Sequence, residues 1–146
     1  MMAKGVTLAS LGVLALEDLR TRVVPDRLVS VAYTSTLVLL AMLAVTGGAG
    51  EALGHVVAGA LLFAVGAAVA LVSREGAFGG GDVKVMGLIG LGLGGVGILA
   101  VAAGQLMAGL YVVGRYVVAR VPLRDPIPLV PFLALGASLA VAVAGR

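Results

Sequence analysis

The chain has 146 residues, room for one domain over residues 1–146, and a net charge of +3 with no basic run interleaved with aromatics, so nucleic acid is not expected as a partner. A hydrophobic share of 61%, a charged share of 12% and a mean hydropathy of +1.18 exclude an ordinary soluble domain and indicate an integral membrane protein. Cysteine is absent and His55 is the single histidine, which excludes disulfides, a CxxC redox centre, a thiolate zinc site and an imidazole cluster.

The first apolar run, Gly5 to Leu16, follows Lys4 and then meets Glu17, Asp18, Arg20 and Arg22 instead of the small residues of a cleavage site. It therefore reads as a helix over residues 4–21 with its acids at or just inside the membrane boundary, not as a secretory leader. A second span is predicted from about Leu28 to Thr46, followed by a turn at Gly47 to Glu51, and a third from about Ala52 to Val72, ending at Ser73 to Gly76. His55, near the start of the third, reads as interfacial.

Next comes Phe78-Gly79-Gly80-Gly81-Asp82-Val83-Lys84. An ionised group in such apolar surroundings costs several kcal/mol or more unless it is paired, hydrated or neutralised. The simplest role for Asp82 is to cap the helix that follows. The three glycines also remove the side chains that would hold a second segment away from it. A site here needs a partner.

From Val85 to Gly114 there is no charge, over a length greater than one span of about 20 residues and less than two. Gly92, Gly94, Gly95 and Gly97 supply a turn, giving a short span from Val83 and another from Ile98 to about Val118. The last span begins near Pro131, since Pro126 and Pro128 prevent an earlier start. Six spans put Arg20, Arg22, Arg27, Arg74, Lys84, Arg115, Arg120 and Arg124 on one face, leaving Lys4 and Arg146 opposite. Cytoplasmic loops collect Lys and Arg, so the expected fold is an all-α membrane protein of about six transmembrane helices with both termini outside. Glycines at 87, 90, 94, 97, 104 and 109 predict small-residue faces for close helix packing.

This topology brings the loops carrying Asp18 and Asp82 to the same, cytoplasmic, side. Two aspartates at one depth can perform general acid–base chemistry without a cofactor: the ionised one takes a proton from water and the neutral one hydrogen-bonds a peptide carbonyl. A close pair shares a proton and titrates as a unit. The N-terminus of its own helix favours charge on Asp82, which makes Asp82 the expected base and Asp18 the acid. Glu17 points about 100° away from Asp18 on the helix, so only one of the two can face Asp82.

Asp18-Leu-Arg-Thr-Arg-Val-Val-Pro25-Asp26, joined to Gly79-Gly80-Gly81-Asp82-Val83-Lys84, resembles the paired signature of prepilin peptidases, the type IV leader peptidases, which are GxGD-type membrane aspartic proteases. The segment Ile127-Pro128-Leu-Val-Pro131-Phe132 is similar to the proline-containing stretch before the last helix of that family. The resemblance implies catalytic aspartates at Asp18 and Asp82. It also implies a prepilin-like substrate, cut on the cytoplasmic side of the cell membrane just before a hydrophobic helix that stays in the bilayer. Gly79, Gly80, Gly81 and Lys84 then form the active-site loop, with Gly80 the most replaceable because the family varies that position. Pro25, Asp26, Pro128 and Pro131 become candidates for substrate positioning, although Asp26 most simply caps the second helix. Lys84 is either a membrane-edge anchor or a group that tunes the pair or meets a substrate acid.

No metal or other cofactor is expected, and a homo-oligomer is left open. The chain lacks the N-terminal cytoplasmic domain with paired cysteines of the larger bacterial members, so a short peptidase-only form is expected, with N-methylation in doubt. Two other classes stay open on the residues alone. One is an ion or small-solute transporter using the aspartates as a proton relay, which would need acids across the membrane depth. The other is a non-catalytic pilus-assembly subunit.

Overall fold

A computed structural model describes residues 2–73, 79–120 and 127–145. Those residues form six α-helices and no strand: α1 (Met2–Thr21), α2 (Asp26–Leu43), α3 (Ala49–Val72), α4 (Gly80–Leu93), α5 (Val96–Ala119) and α6 (Val130–Ala144). Phe78, the turn residues 74–76, Arg124, Asp125, Pro126 and Arg146 lie outside the described residues.

The joints follow local chemistry. Pro25, extended at ψ 126°, starts α2, and its carbonyl accepts the N–H groups of Leu28 at 3.1 Å and Val29 at 3.2 Å. Between α2 and α3 a wide π-type turn, Ala44–Gly48, is broken at Gly47, whose φ of 99° favours glycine. The turn expected at the Gly92 to Gly97 cluster separates α4 from α5, with Gly94 at φ 61°. Pro131 sits in the first turn of α6, where its missing N–H costs nothing.

α4 is the axis of the bundle, and every residue from Val85 to Leu93 is buried. α3 runs antiparallel along it, with Gly66 facing Val83 and Met86, and Gly59 facing Gly87 and Leu91. At Gly90 a methyl group would come within 2.5 Å of the Ala58 carbonyl oxygen, so the two backbones nearly touch. α5 and α6 pair in the same manner, Gly136 lying against Ala100 and Gly104. These are the small-residue faces expected from the sequence, with one exception: nothing lies within 4 Å of the position a Gly109 methyl would take.

His55, in the second turn of α3, is buried against the end of α4. Its Nδ1 lies 2.9 Å from the Leu91 carbonyl oxygen and its ring lies against Gly94. It thus satisfies one of the last carbonyls of α4, which have no partner within the helix.

Outward faces are apolar: Val31, Leu53, Leu71, Leu106, Leu110 and Leu139 are all exposed. Water does not tolerate so continuous an apolar surface, whereas lipid does. Two helical segments among the described residues are long and apolar enough to cross a membrane, Asp26–Val72, which Gly47 folds into α2 and α3, and Val96–Ala119. The six spans expected from the sequence are not all of that kind. α4 has 14 residues and α6 has 15, both below the about 20 a spanning helix needs. α1 carries Lys4, Glu17, Asp18 and Arg20 within its length.

Candidate active site

The helix directions bring the end of α1 and the starts of α2, α4 and α6 to one end of the bundle. Asp18 lies one turn before the end of α1 and is only 6% exposed, whereas the neighbouring Glu17 is partly exposed. Its Oδ2 accepts the backbone N–H of Val130, the first residue of α6, at 3.2 Å. A carboxylate therefore sits at the positive end of a second helix.

Asp82 occupies the first turn of α4, just before the apolar span. Its Oδ2 accepts the Gly79 N–H at 3.1 Å, so the capping role expected of this acid is real. Burial pushes the Asp82 carboxyl up, the Gly79 hydrogen bond pulls it down, and the charge of Asp18 pushes it up again, leaving it above its ordinary 3.8. α1 and α4 are in contact, with Asp18 near the end of one and Asp82 in the first turn of the other.

The three glycines of the loop differ in what they do. A methyl group at Gly81 would meet Val24 Cβ at 2.9 Å, so this is where the α1–α2 loop presses on α4. Gly80 has open space within 4 Å, and a Gly79 methyl would make only ordinary contact with Asp82 Oδ2. The close approach expected of the whole stretch therefore rests on one glycine.

Asp26 does not cap α2: Pro25 holds that position, and the Asp26 side chain makes no capping bond. Instead Asp26 Oδ1 accepts from Lys84 Nζ at 2.6 Å, an ion pair joining α2 to α4 beside the site. Lys84 thus has a partner other than the two aspartates. Pro128 and Pro131 are both part-buried and flank Val130, the residue that delivers the N–H to Asp18. Among the described residues no three His, Cys, Asp or Glu side chains converge as metal ligands.

Two contributors had no place in the sequence reading. The Val130 N–H is backbone and carries no residue signature. Tyr33, however, donates its hydroxyl to the Lys84 carbonyl at 2.8 Å, tying α2 to the first turns of α4. Its signal was present, since Tyr33 follows Asp26 by seven residues and so shares its helix face.

A profile of the type IV leader peptidase family matches residues 5–145. The chain belongs to that family. Members of the type IV leader peptidase family are peptidases, and nearly all of this chain, including α2 to α6 and all but the first three residues of α1, falls within the match. Comparison with curated proteins and with solved structures gives no match.

Proposed function

We propose that this leader peptidase is a membrane-embedded aspartic endopeptidase that hydrolyses the leader of a type IV pilin-like precursor with the Asp18/Asp82 pair, within a single domain over residues 1–146. The observation that carries the reading is the pair itself: two carboxyls from separate helices at one bundle end, each accepting a backbone N–H. The basic residues Arg20, Arg22, Arg27, Lys84, Arg115 and Arg120 share that end, and Lys4 is at the other, which favours six passes with the site facing the cytoplasm and both termini outside.

The pair divides the roles of base and acid between its two members. A helix N-terminus is not peculiar to Asp82, because α6 supplies the same to Asp18. Asp18 is the more enclosed of the two and Asp82 is partly exposed, so burial does not single out one of them as the neutral member. The ionised member takes a proton from water as the water oxygen bonds to the scissile carbonyl carbon, and the neutral member gives its proton to the carbonyl oxygen. The resulting diol collapses as the leaving nitrogen gains a proton from the pair, releasing a free carboxyl and a free amine, and one water is consumed. Gly81 and Val24 fix the spacing of the two loops, and Tyr33 and the Asp26–Lys84 pair hold α2 against α4.

A proton relay is less well supported. Among the described residues the other acids are Glu17 and Asp26 near the same end and Glu51 in the first turn of α3, with none at middle depth.

The test uses detergent-purified protein and a panel of prepilin-like precursors, with Asp18→Asn and Asp82→Asn as variants and the cut mapped by mass spectrometry. The reading expects cleavage just before the apolar helix by the wild type alone, with both variants folded. Equal processing by all three would remove the dyad.

A further inference from the structure

Gln105 is the one side-chain amide of the chain, which has no asparagine, and it stands near the middle of the long apolar helix α5. A carboxamide in such a helix is costly unless its hydrogen bonds are made. Among the described residues its one partner is the thioether of Met86, with Nε2 4.0 Å from Sδ. Sulfur is a weak acceptor, so most of the capacity of the amide, its oxygen included, is unmet. Packing gives Tyr33 and His55 a backbone carbonyl each, and gives Gln105 none. The position is specific. Met86 follows Asp82 by four residues, so it lies about 40° round α4 from the acid and about 6 Å deeper in the bundle. The amide is thus held on the Asp82 side of α4, one turn below the pair, and it is part-buried rather than sealed. One turn nearer the site on the same side of α5, a Gly109 methyl would meet nothing within 4 Å, so α5 leaves room there. Thr7 and Thr36 also carry hydroxyls without a partner, but both are fully enclosed and out of reach of a peptide.

We propose that Gln105 binds the main chain of the substrate just past the scissile bond, through the N–H and C=O of its carboxamide. The assignment rests on the peptidase reading and adds a residue to that site. A scissile peptide has to leave its helix before water and a carboxyl can both reach its carbonyl. The first residues of the apolar segment then lose their helical partners, in a layer with no water to replace them. A carboxamide supplies donors and an acceptor, the complement of a peptide group. The depth agrees, since a precursor continues from the junction into its apolar helix, and Gln105 lies on that inner side of the pair. A charged side chain at this depth would cost more. A hydroxyl would turn to its own helix, as Ser138 does to the Ala134 carbonyl at 2.9 Å.

The experiment measures binding to the full-length Asp82→Asn chain in nanodiscs, with and without Gln105→Met, which removes the amide at nearly constant volume; Gln105→Leu serves as a second apolar replacement. The probe is a synthetic precursor with a fluorescent polar leader and an apolar helix of about 20 residues. In a series of such probes, single peptide groups after the junction are replaced by esters, each of which removes one N–H. Gln105→Met should melt no lower than its parent, because it takes an unsatisfied polar group out of an apolar helix. It should bind the all-amide precursor several-fold more weakly, as for one or two lost hydrogen bonds. An ester within the first turn after the junction should weaken binding to the parent and have no effect on the Gln105→Met chain. Unchanged binding by both apolar replacements, or ester effects of equal size in parent and variant at every position, would overturn the assignment. Binding does not require cleavage, so the two readings fail separately. Ester-selective binding of precursors that the wild type never cuts would leave Gln105 as a main-chain contact and remove the peptidase, and cutting without ester coupling would do the reverse.

Discussion

Asp82 keeps a proton in the folded protein that an unfolded chain would release, because its folded pKa lies above the ordinary 3.8. The stability linked to that proton is fully present below the unfolded value and is lost as pH rises through the folded one. Asn cannot ionise, yet its amide oxygen can still accept the Gly79 N–H. Asp82→Asn should therefore melt above the wild type at neutral pH and together with it below pH 3.8, which thermal unfolding in detergent at several pH values will check. Activity needs one proton on the pair, so on the alkaline side cleavage should be lost as the second carboxyl ionises, above the ordinary 3.8 of an aspartate. The acidic limb reports protonation of the base. Either aspartate changed to asparagine should lower kcat by at least about 10²-fold, the smaller end of general acid–base effects. The Asp26–Lys84 ion pair differs in kind: its side chains are 77% and 41% exposed, so Asp26→Asn should cost about 1 kcal/mol of stability or less.

Between helices, the tight contacts are backbone against backbone, and two glycines separate that effect from mere composition. Gly90→Ala drives a methyl into the Ala58 carbonyl of α3, and neither backbone can move without opening the other contacts of α4. A loss of about 1–3 kcal/mol or more is expected. Gly109→Ala, with open space around it, should be neutral or gain up to about 1 kcal/mol from helix propensity. Melting temperatures of the two variants test this directly. Much of this was readable in residue order, since glycine clusters mark the α4–α5 turn and the close faces, and Pro131 marks the start of α6. What was not readable was which partner each residue meets. Nothing in the residues around Asp26 favours Lys84 over a helix cap, because that depends on how α2 crosses α4. His55 likewise shows no sign of its bond to a carbonyl 36 positions away. The aspartates could be picked out because a buried acid in an apolar chain is anomalous at any contact distance, whereas the Val130 N–H that serves Asp18 is common to almost every residue.

Across the whole molecule, the absence of cysteine makes the orientation easy to test. Met2 and Ala119 stand at opposite ends of the bundle and both are exposed. Met2→Cys should react with an impermeant maleimide in intact cells and Ala119→Cys only in inverted vesicles; labelling of both from one side would reject the six-pass arrangement. The shortness of α4 and α6 adds a further consequence. Fourteen and fifteen residues rise about 21 and 22 Å, against a hydrocarbon layer of about 30 Å. Both helices begin at the aspartate pair, so neither can reach both headgroup layers of an undeformed bilayer. α4 is enclosed by its neighbours, so in the six-pass arrangement proposed above its shortfall is taken up by protein, and only α6, exposed at Leu135 and Leu139, would thin the lipid beside it. Such thinning would bring headgroup water toward Asp18 from the α6 side without a channel.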